Sequence, residues 1–300
     1  MYFPRLYPDE LTSSLLIRAS RHLGIRYDEV TKGLTGSNVK TRVHFINPFA
    51  LMQIAEATRM TYDDVLVNHT LYPYVTALMT VRRREQLRAG LFETTPQVRS
   101  DFNWLAGAPW SNLARRRFCP QCLREDLQKY GESYWHRSHQ LPGVYTCISH
   151  RLPLLGTALP LGWCLPALAG ACPADRPGME ISPPLSNHLL DAIASYSKQA
   201  LQGHLSGMLE EVRARVQEVD DLGLKCSTGL ITRCLTRQLE DFYGSPYLGS
   251  VGVTWKNFRR NVEQCPALFV RHGEAIAFTT FQHLLLQTFF EHFPARDAYR

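Results

Sequence analysis

The sequence predicts a mainly α-helical fold with one small β element near the middle of the chain. Apolar residues recur at helical spacing in several segments. Three such stripes are Leu11, Leu15, Leu16 and Ala19; Leu189, Leu190 and Ile193; and the apolar run over 278–293. The first of these helices is predicted to end at Gly24. Residues 152–174 differ, because they carry no charge and contain four prolines, which would repeatedly break a helix. We interpret this stretch as buried irregular chain or short strands, and not as a membrane span.

This pattern divides the chain into three predicted regions. They are a helical domain over 1–110, a central module with the Pro-rich segment over 111–182, and a second helical domain over 183–300. In the first region, a helix around Ala55 is predicted to end near Thr61, where a further helix with Val65 begins. Two short helices joined by a tight turn are typical of a helix-turn-helix, although a plain α-hairpin has the same pattern. A second helix-turn-helix is a candidate in 183–300, so such elements are predicted to flank the central module.

The central module contains two pairs of metal-binding residues with the same spacing. Cys119 and Cys122 form a C-x2-C pair, and Cys147 and His150 form a C-x2-H pair. One tight turn can aim both members of such a pair at one metal, and three thiolates with one imidazole complete the tetrahedral set that structural zinc prefers. The sequence therefore predicts a structural Zn²⁺ site in a small zinc-ribbon-like element. Because four protein ligands leave no position for water, this metal is predicted not to be catalytic.

Other residues compete for this assignment. His136 and His139 follow Cys122 in a way that imitates a Cys2His2 finger, but only two residues separate them, where such fingers have three to five. Residues 134–139 also alternate like a strand, which would place the two imidazoles on opposite faces. A second metal site that combines Cys164 and Cys172 with these histidines stays open.

Positive charge is concentrated in the first half of the chain. Residues 1–150 contain 19 Lys and Arg against 13 Asp and Glu, whereas residues 151–300 contain 14 of each. Three basic clusters are candidate contacts to DNA phosphate: Arg82, Arg83 and Arg84; Arg115, Arg116 and Arg117; and Lys256, Arg259 and Arg260. The middle cluster has an alternative role, since it would also offset the net negative charge of a zinc ion bound by three thiolates.

The sequence lacks the motifs of common catalytic classes. It contains no H-E-x-x-H, G-x-x-x-x-G-K-[ST], G-x-G-x-x-G or G-x-S-x-G. The His-x-Glu triplet that a zinc deaminase needs before its cysteines occurs only at His272, far downstream of them. The first residues show no signal-peptide pattern, so a reducing, cytoplasmic setting is expected, in which clustered cysteines bind metal more often than they form disulfides.

Several short segments of the first 155 residues resemble the sequence motifs of a known family. They are residues 4–11 followed by Ser14, Leu15 and Arg18; residues 69–73; Cys119-Pro120-x-Cys122; residues 130–135; residues 140–144; and Cys147 with His150. Together they resemble the TniQ/TnsD family, which comprises target-selection proteins of bacterial transposons with multi-component transposases. The likeness continues more loosely through the segment around Trp255.

The resemblance implies a role that the residues alone do not give. Members of this family mark an insertion site by binding an attachment sequence in double-stranded DNA or by docking on an RNA-guided complex. They then recruit an AAA+ ATPase that licenses the transposase. For this chain, the resemblance implies zinc ligation by Cys119, Cys122, Cys147 and His150, and DNA or homodimer contact by the helix pair around Ala55 and Val65.

We therefore expect a non-enzymatic targeting adaptor. Family members that read an attachment site directly are usually longer than this sequence. The alternative is a zinc-stabilised transcriptional regulator that binds DNA through helix-turn-helix elements.

Overall fold

The described part of the chain is mostly helical in the computed structural model of the protein. The structure describes residues 3–35, 48–79, 81–93, 115–160, 171–203, 205, 238–253 and 279–292. Within these ranges the α-helices are α1 (Thr12–Leu23), α2 (Tyr27–Thr35), α3 (Pro48–Thr58), α4 (Tyr62–His69), α5 (Tyr72–Thr76), α6 (Val81–Glu93), α7 (Pro120–Tyr130), α8 (Asn187–Leu201), α9 (Ser245–Ser250) and α10 (Thr280–His292), and residues 238–243 are also helical. Among the described residues, none of the helices is both long and apolar enough to cross a membrane.

The helices begin and end where local sequence signals place them. Helix α1 ends at Gly24, whose left-handed φ of 64° lets its N–H bond back to the carbonyl of Arg21. Helix α4 begins with a capping box, in which Thr61 and Asp64 each bond the other's backbone N–H. The predicted break near Thr61 and the predicted end of the first helix at Gly24 are thereby confirmed.

A small antiparallel sheet forms the β element of the central module. Its strands β1 (Arg115–Phe118), β2 (Leu155–Pro160) and β3 (Met179–Glu180) lie in the order β1-β2-β3. Phe118 pairs with Leu155, which in turn pairs with Glu180. Strand β2 lies in the uncharged stretch 152–174, so the prediction of short strands there is confirmed for 155–160, while residues 161–170 lie outside the described ranges.

One hydrophobic cluster joins parts of all three predicted regions. It contains Leu71 and Tyr74 from the first region and Ile193 and Leu285 from helices α8 and α10. From the central module it contains Cys119, Cys122 and Cys147. The cysteine module therefore packs against helices that precede and follow it in the sequence. The division at 110 and 182 stays a prediction.

A buried ion network attaches the N-terminal segment to the central module. The side chain of Arg18 is 1% exposed, and its guanidinium donates to the carboxylates of Glu10 and Glu132, each at 2.7 Å. It also lies 3.7 Å from the centre of the Tyr7 ring. Burial raises the pKa of Glu10 to about 7 in spite of Arg18. Burial acts in the same direction on Glu132, but the hydrogen bonds from Arg18 and Tyr7 prevail and lower its pKa to about 2.

We expect the substitution Arg18→Met to destabilise the protein by about 3–5 kcal/mol, because it leaves the buried carboxyl group of Glu10 without its charged partner. Urea unfolding followed by circular dichroism measures this loss. The matched control is Arg26→Met, which removes an exposed arginine paired with Asp28 and should hardly move the unfolding midpoint. Equal losses in the two variants would show that burial of the Arg18 pair is not what matters.

Candidate metal centre

Two tight turns carry the four predicted metal ligands. Cys119 is the N-cap of α7, Pro120 occupies the first helical position, and Cys122 lies in the first turn of that helix. The second pair lies in a turn that is closed by a hydrogen bond of 2.7 Å from the N–H of Arg151 to the carbonyl of Cys147. Arg151 has a positive φ of 52°, which reverses the chain directly after His150. Each pair of ligands is therefore aimed by its own backbone turn.

The four side chains converge on one point. Their ligand atoms all lie within 4.8 Å of one another. The Sγ atom of Cys122 lies 3.3 Å from Nδ1 of His150 and 3.7 Å from Sγ of Cys147. Nδ1 of His150 lies 3.6 Å from the sulfurs of Cys119 and Cys147. Bonds of roughly 2.0–2.3 Å to a tetrahedral ion place ligand atoms about 3.5–3.8 Å apart, so the donor set and its spacing are consistent with zinc.

Hydrogen bonds couple the ionisation of the three thiols. Those from Cys122 and Cys147 hold the pKa of Cys119 well below its usual range. The same interaction raises the pKa of Cys122. A bound cation would displace the thiol protons, because zinc binds cysteine as the thiolate.

A carboxylate outside the cluster orients the imidazole ligand. Nε2 of His150 donates to Oε1 of Glu125 at 3.0 Å, which leaves Nδ1 unprotonated and turned toward the sulfurs. Hydrogen bonds first from Gln121 and then from His150 lower the pKa of Glu125, so this carboxyl stays ionised. Sequence analysis missed Glu125, although its place one helical turn after Cys122 in α7 is a usable signal.

His136 and His139 lie beside the cluster and outside its ligand set. The expectation that their rings point to opposite faces is wrong, because residues 138–140 form a 3₁₀ turn and not a strand. The two ring centres are 4.9 Å apart. Nε2 of His136 lies 2.9 Å from Asp126, and Nδ1 lies 3.8 Å from Asp9. Burial opposes protonation of both rings, but these carboxylates raise the pKa of His136 to about 9, whereas the pKa of His139 falls to about 3.

Cys172 lies apart from these histidines. It is buried in a separate cluster with Phe118 and Trp135. Cys164 lies outside the described ranges. The structure therefore tests the possible second metal site only through Cys172. In the described part of the chain, the four predicted ligands are the group of His, Cys, Asp and Glu residues that is close enough to hold a metal.

The structure shows different exposure for Arg115, Arg116 and Arg117, which are predicted to contact DNA phosphate or to offset the charge of the metal site. Arg115 is exposed, but Arg116 and Arg117 are only 6% and 5% exposed. The guanidinium of Arg117 donates to the carbonyls of His139 and Leu141 at 2.9 and 2.8 Å. That of Arg116 lies 5.4 Å from the centre of the Trp135 ring. Two of these three charges therefore serve internal contacts.

The other predicted DNA contacts are only partly within the described residues. Arg82 and Arg84 are exposed on α6, and nothing is described of the Arg83 side chain. Lys256, Arg259 and Arg260 lie outside the described ranges.

Helices α3 and α4 pack as a pair around a three-residue turn. Ala55 and Val65 are buried in the same hydrophobic cluster, as the predicted helix pair requires. The exposed side chains of α4 are Asp63, Asp64, Val67 and Asn68, none of which is basic. The pair thus has the lengths of a helix-turn-helix, but its second helix lacks the charge that a recognition helix places against phosphate.

Comparison with known proteins identifies the family of the chain. The TniQ family model matches residues 1–154, which include α1 to α7 and all four clustered ligands. The protein therefore belongs to the TniQ family, and the resemblance found in the sequence is confirmed. A relative of particular interest is the transposon Tn7 transposition protein TnsD of Escherichia coli, which is 29% identical over 153 residues. The matched segment covers 49% of this chain and 30% of that relative.

We expect the substitution Cys119→Ser to abolish metal retention and to unfold the central module, because the remaining ligands no longer close a tetrahedral set. Metal content is measured by emission spectrometry after dialysis, and unfolding by the thermal melting profile. A variant that retained its metal and melted like the wild type would refute the ligand assignment.

We expect part of the stability of the protein to depend on the charge of His136. Its pKa is raised from 6.5 to about 9 by Asp126 and Asp9, so the stabilisation is full below about pH 6.5 and is lost as the pH rises toward 9. This loss should be on the order of 2–3 kcal/mol in the wild type and absent in His136→Gln. Urea unfolding of both proteins at about pH 6 and about pH 9 measures it, and parallel pH profiles would contradict the assignment. Cys and His ligands titrate alike in both proteins, so their effect cancels in the comparison.

Proposed function

We propose that the protein is a target-selection adaptor of DNA transposition without catalytic activity of its own. The observation that carries this proposal is the match of residues 1–154 to the TniQ family, together with the likeness to a transposition protein, TnsD. In this role the protein engages double-stranded DNA, an RNA-guided targeting complex, or both. It then recruits an AAA+ ATPase regulator that brings in the transposase. We place this activity in the cytoplasm, where thiolate ligands stay reduced.

We propose that the metal is Zn²⁺ and that its role is structural. Three thiolates and one imidazole form the donor set that closed zinc sites use. The cysteines are also members of the hydrophobic cluster that joins the module to helices α8 and α10. Cys119, Cys122, Cys147 and His150 would hold the ion, which would supply cross-linking of two turns and no reaction chemistry.

The basic start of α6 supports a contact with DNA phosphate. This helix opens with Val81 followed by three arginines, and its first turn contains no acidic residue. Cations at the positive end of a helix are unfavourable for the helix itself. An external anion would relieve this repulsion, and exposed Arg82 and Arg84 are in position to meet one. We propose that they contact the DNA backbone and thereby position the protein without reading sequence.

The alternative function is that of a transcriptional regulator that binds DNA through α3 and α4. Its support is the tight turn between the two helices. The acidic residues Asp63 and Asp64 at the start of α4 oppose it, because they would face phosphate with the same sign of charge.

Selection of duplexes from a random pool tests the DNA contact. The zinc-loaded wild-type chain is compared with the double variant Arg82→Ala/Arg84→Ala at several salt concentrations. We expect the variant to bind all duplexes more weakly and to reduce the slope of log affinity against log salt by about 1–2. The control is Arg26→Ala, since this arginine is already paired with Asp28. An unchanged slope in the double variant would exclude α6 as the phosphate contact.

The same selection separates two forms of the adaptor. Enrichment of a motif would mean that the protein itself chooses the insertion site. Weak, salt-sensitive binding without enrichment would mean that a targeting partner supplies the specificity. The adaptor role would be refuted if omission of the protein from a reconstituted transposition reaction changed neither the number nor the position of insertions.

A further inference from the structure

We propose that His139 is an outer-sphere hydrogen-bond donor to the metal centre, with its Nε2–H directed at the sulfur of Cys122. The side chain of His139 is buried, and Nε2 lies 3.8 Å from Sγ of Cys122. This separation suits an N–H···S hydrogen bond, because sulfur is larger than oxygen and accepts at longer range. The inference rests on the proposed Zn²⁺ site and not on the proposed role in transposition.

The tautomer of His139 follows from the surroundings of its two nitrogens. A neutral imidazole has one N–H group. Nδ1 is buried and has no hydrogen-bond partner within the ranges that the structure describes, whereas Nε2 faces the sulfur of Cys122. With the proton on Nε2, the ring donates to a thiolate. With the proton on Nδ1, the lone pair of Nε2 would face the negative sulfur and repel it.

Neighbouring residues hold His139 neutral and in place. The imidazolium of His136 lies beside it, fixed by a hydrogen bond of 2.9 Å to Asp126, so a second positive ring at this position would be repelled. Arg117 donates to the backbone carbonyl of His139 and to that of Leu141. This contact gives buried Arg117 a positioning role, because it fixes the turn from which His139 points at the cluster.

His139 reaches the sulfur of Cys122 from a position 17 residues further along the chain. An N–H group donated to a metal-bound thiolate would reduce the negative charge density on that sulfur.

The test compares two substitutions of His139 in the zinc-loaded chain. His139→Phe removes the donor and keeps a ring of similar shape, whereas His139→Gln keeps an N–H donor. The control is His188→Phe, at an exposed histidine of α8 that lies near His292. Zinc affinity is measured by competition with a chromophoric chelator. Alkylation of each cysteine by iodoacetamide is followed by mass spectrometry of the peptides.

We expect His139→Phe to lower zinc affinity by about 10-fold or more, as loss of an outer-sphere partner typically does. Alkylation should become faster at Cys122 and stay at the wild-type rate at Cys119 and Cys147, because a thiolate without its donor is more nucleophilic. His139→Gln should lie closer to the wild type, and His188→Phe should match it.

Two results would overturn the proposal. Equal acceleration at all three cysteines in His139→Phe would show that the substitution loosens the whole site and that no specific bond to Cys122 is lost. Wild-type affinity and alkylation in this variant would show that no hydrogen bond to Cys122 exists. If His139→Phe does not fold, His139→Met also lacks a donor and adapts its shape more readily, so its comparison with His139→Gln decides in the same way.

Discussion

The convergence of three sulfurs and one imidazole nitrogen within 4.8 Å is the constraint on which the rest of the described structure depends. It ties the start of α7 to the turn over 147–150, and the strands β1 and β2 lie directly before and after these two turns. The residues between the pairs are thereby forced into a closed loop. Because Cys119, Cys122 and Cys147 also belong to the central hydrophobic cluster, the side chains that converge here pack against residues of helices α5, α8 and α10. A ligand set of this kind contributes folding free energy directly, since no preformed site exists in the unfolded chain.

The N-terminal residues are held by contacts to the loop between the two pairs of candidate ligands. Asp9 has a positive φ of 59°, accepts the N–H of Arg137 at its carbonyl, and accepts the guanidinium of the same residue at its carboxylate. Leu11 donates its N–H to the carbonyl of Trp135. Arg18 adds its two buried carboxylate contacts, one within the N-terminal segment and one to Glu132. The left-handed backbone at Asp9 is therefore held by contacts to a segment more than 120 residues away. Within the family region of 1–154, these contacts fasten the N-terminal helices to the loop between Cys122 and Cys147.

Spacing and capping signals in the sequence were sufficient to predict the ligands and the ends of several helices. Only two residues separate Cys119 from Cys122 and Cys147 from His150. This spacing is local, so a single tight turn is enough to bring both members of each pair together. The same holds for Gly24 and Thr61 at helix ends. The alternating sequence pattern wrongly predicted a strand over 134–139. These six residues have no continuous partner strand, so tertiary contacts determine their conformation. His139 could not be recognised as a supporting group from one sequence, since its role depends on where the ligand loop folds back, whereas the place of Glu125 one helical turn after Cys122 was a signal that could have been used.

The three arginines before Cys119 illustrate why a run of charged residues in the sequence is weak evidence that their side chains are exposed. In sequence, Arg115, Arg116 and Arg117 are equivalent, yet the carbonyl groups that accept from Arg117 belong to residues 22 and 24 positions later. A guanidinium has five donors, so it can be buried wherever a turn presents several free carbonyls, and the turn over 139–141 does so. Exposed arginines elsewhere, such as Arg82 and Arg84, are therefore groups whose charge is available to an anionic ligand.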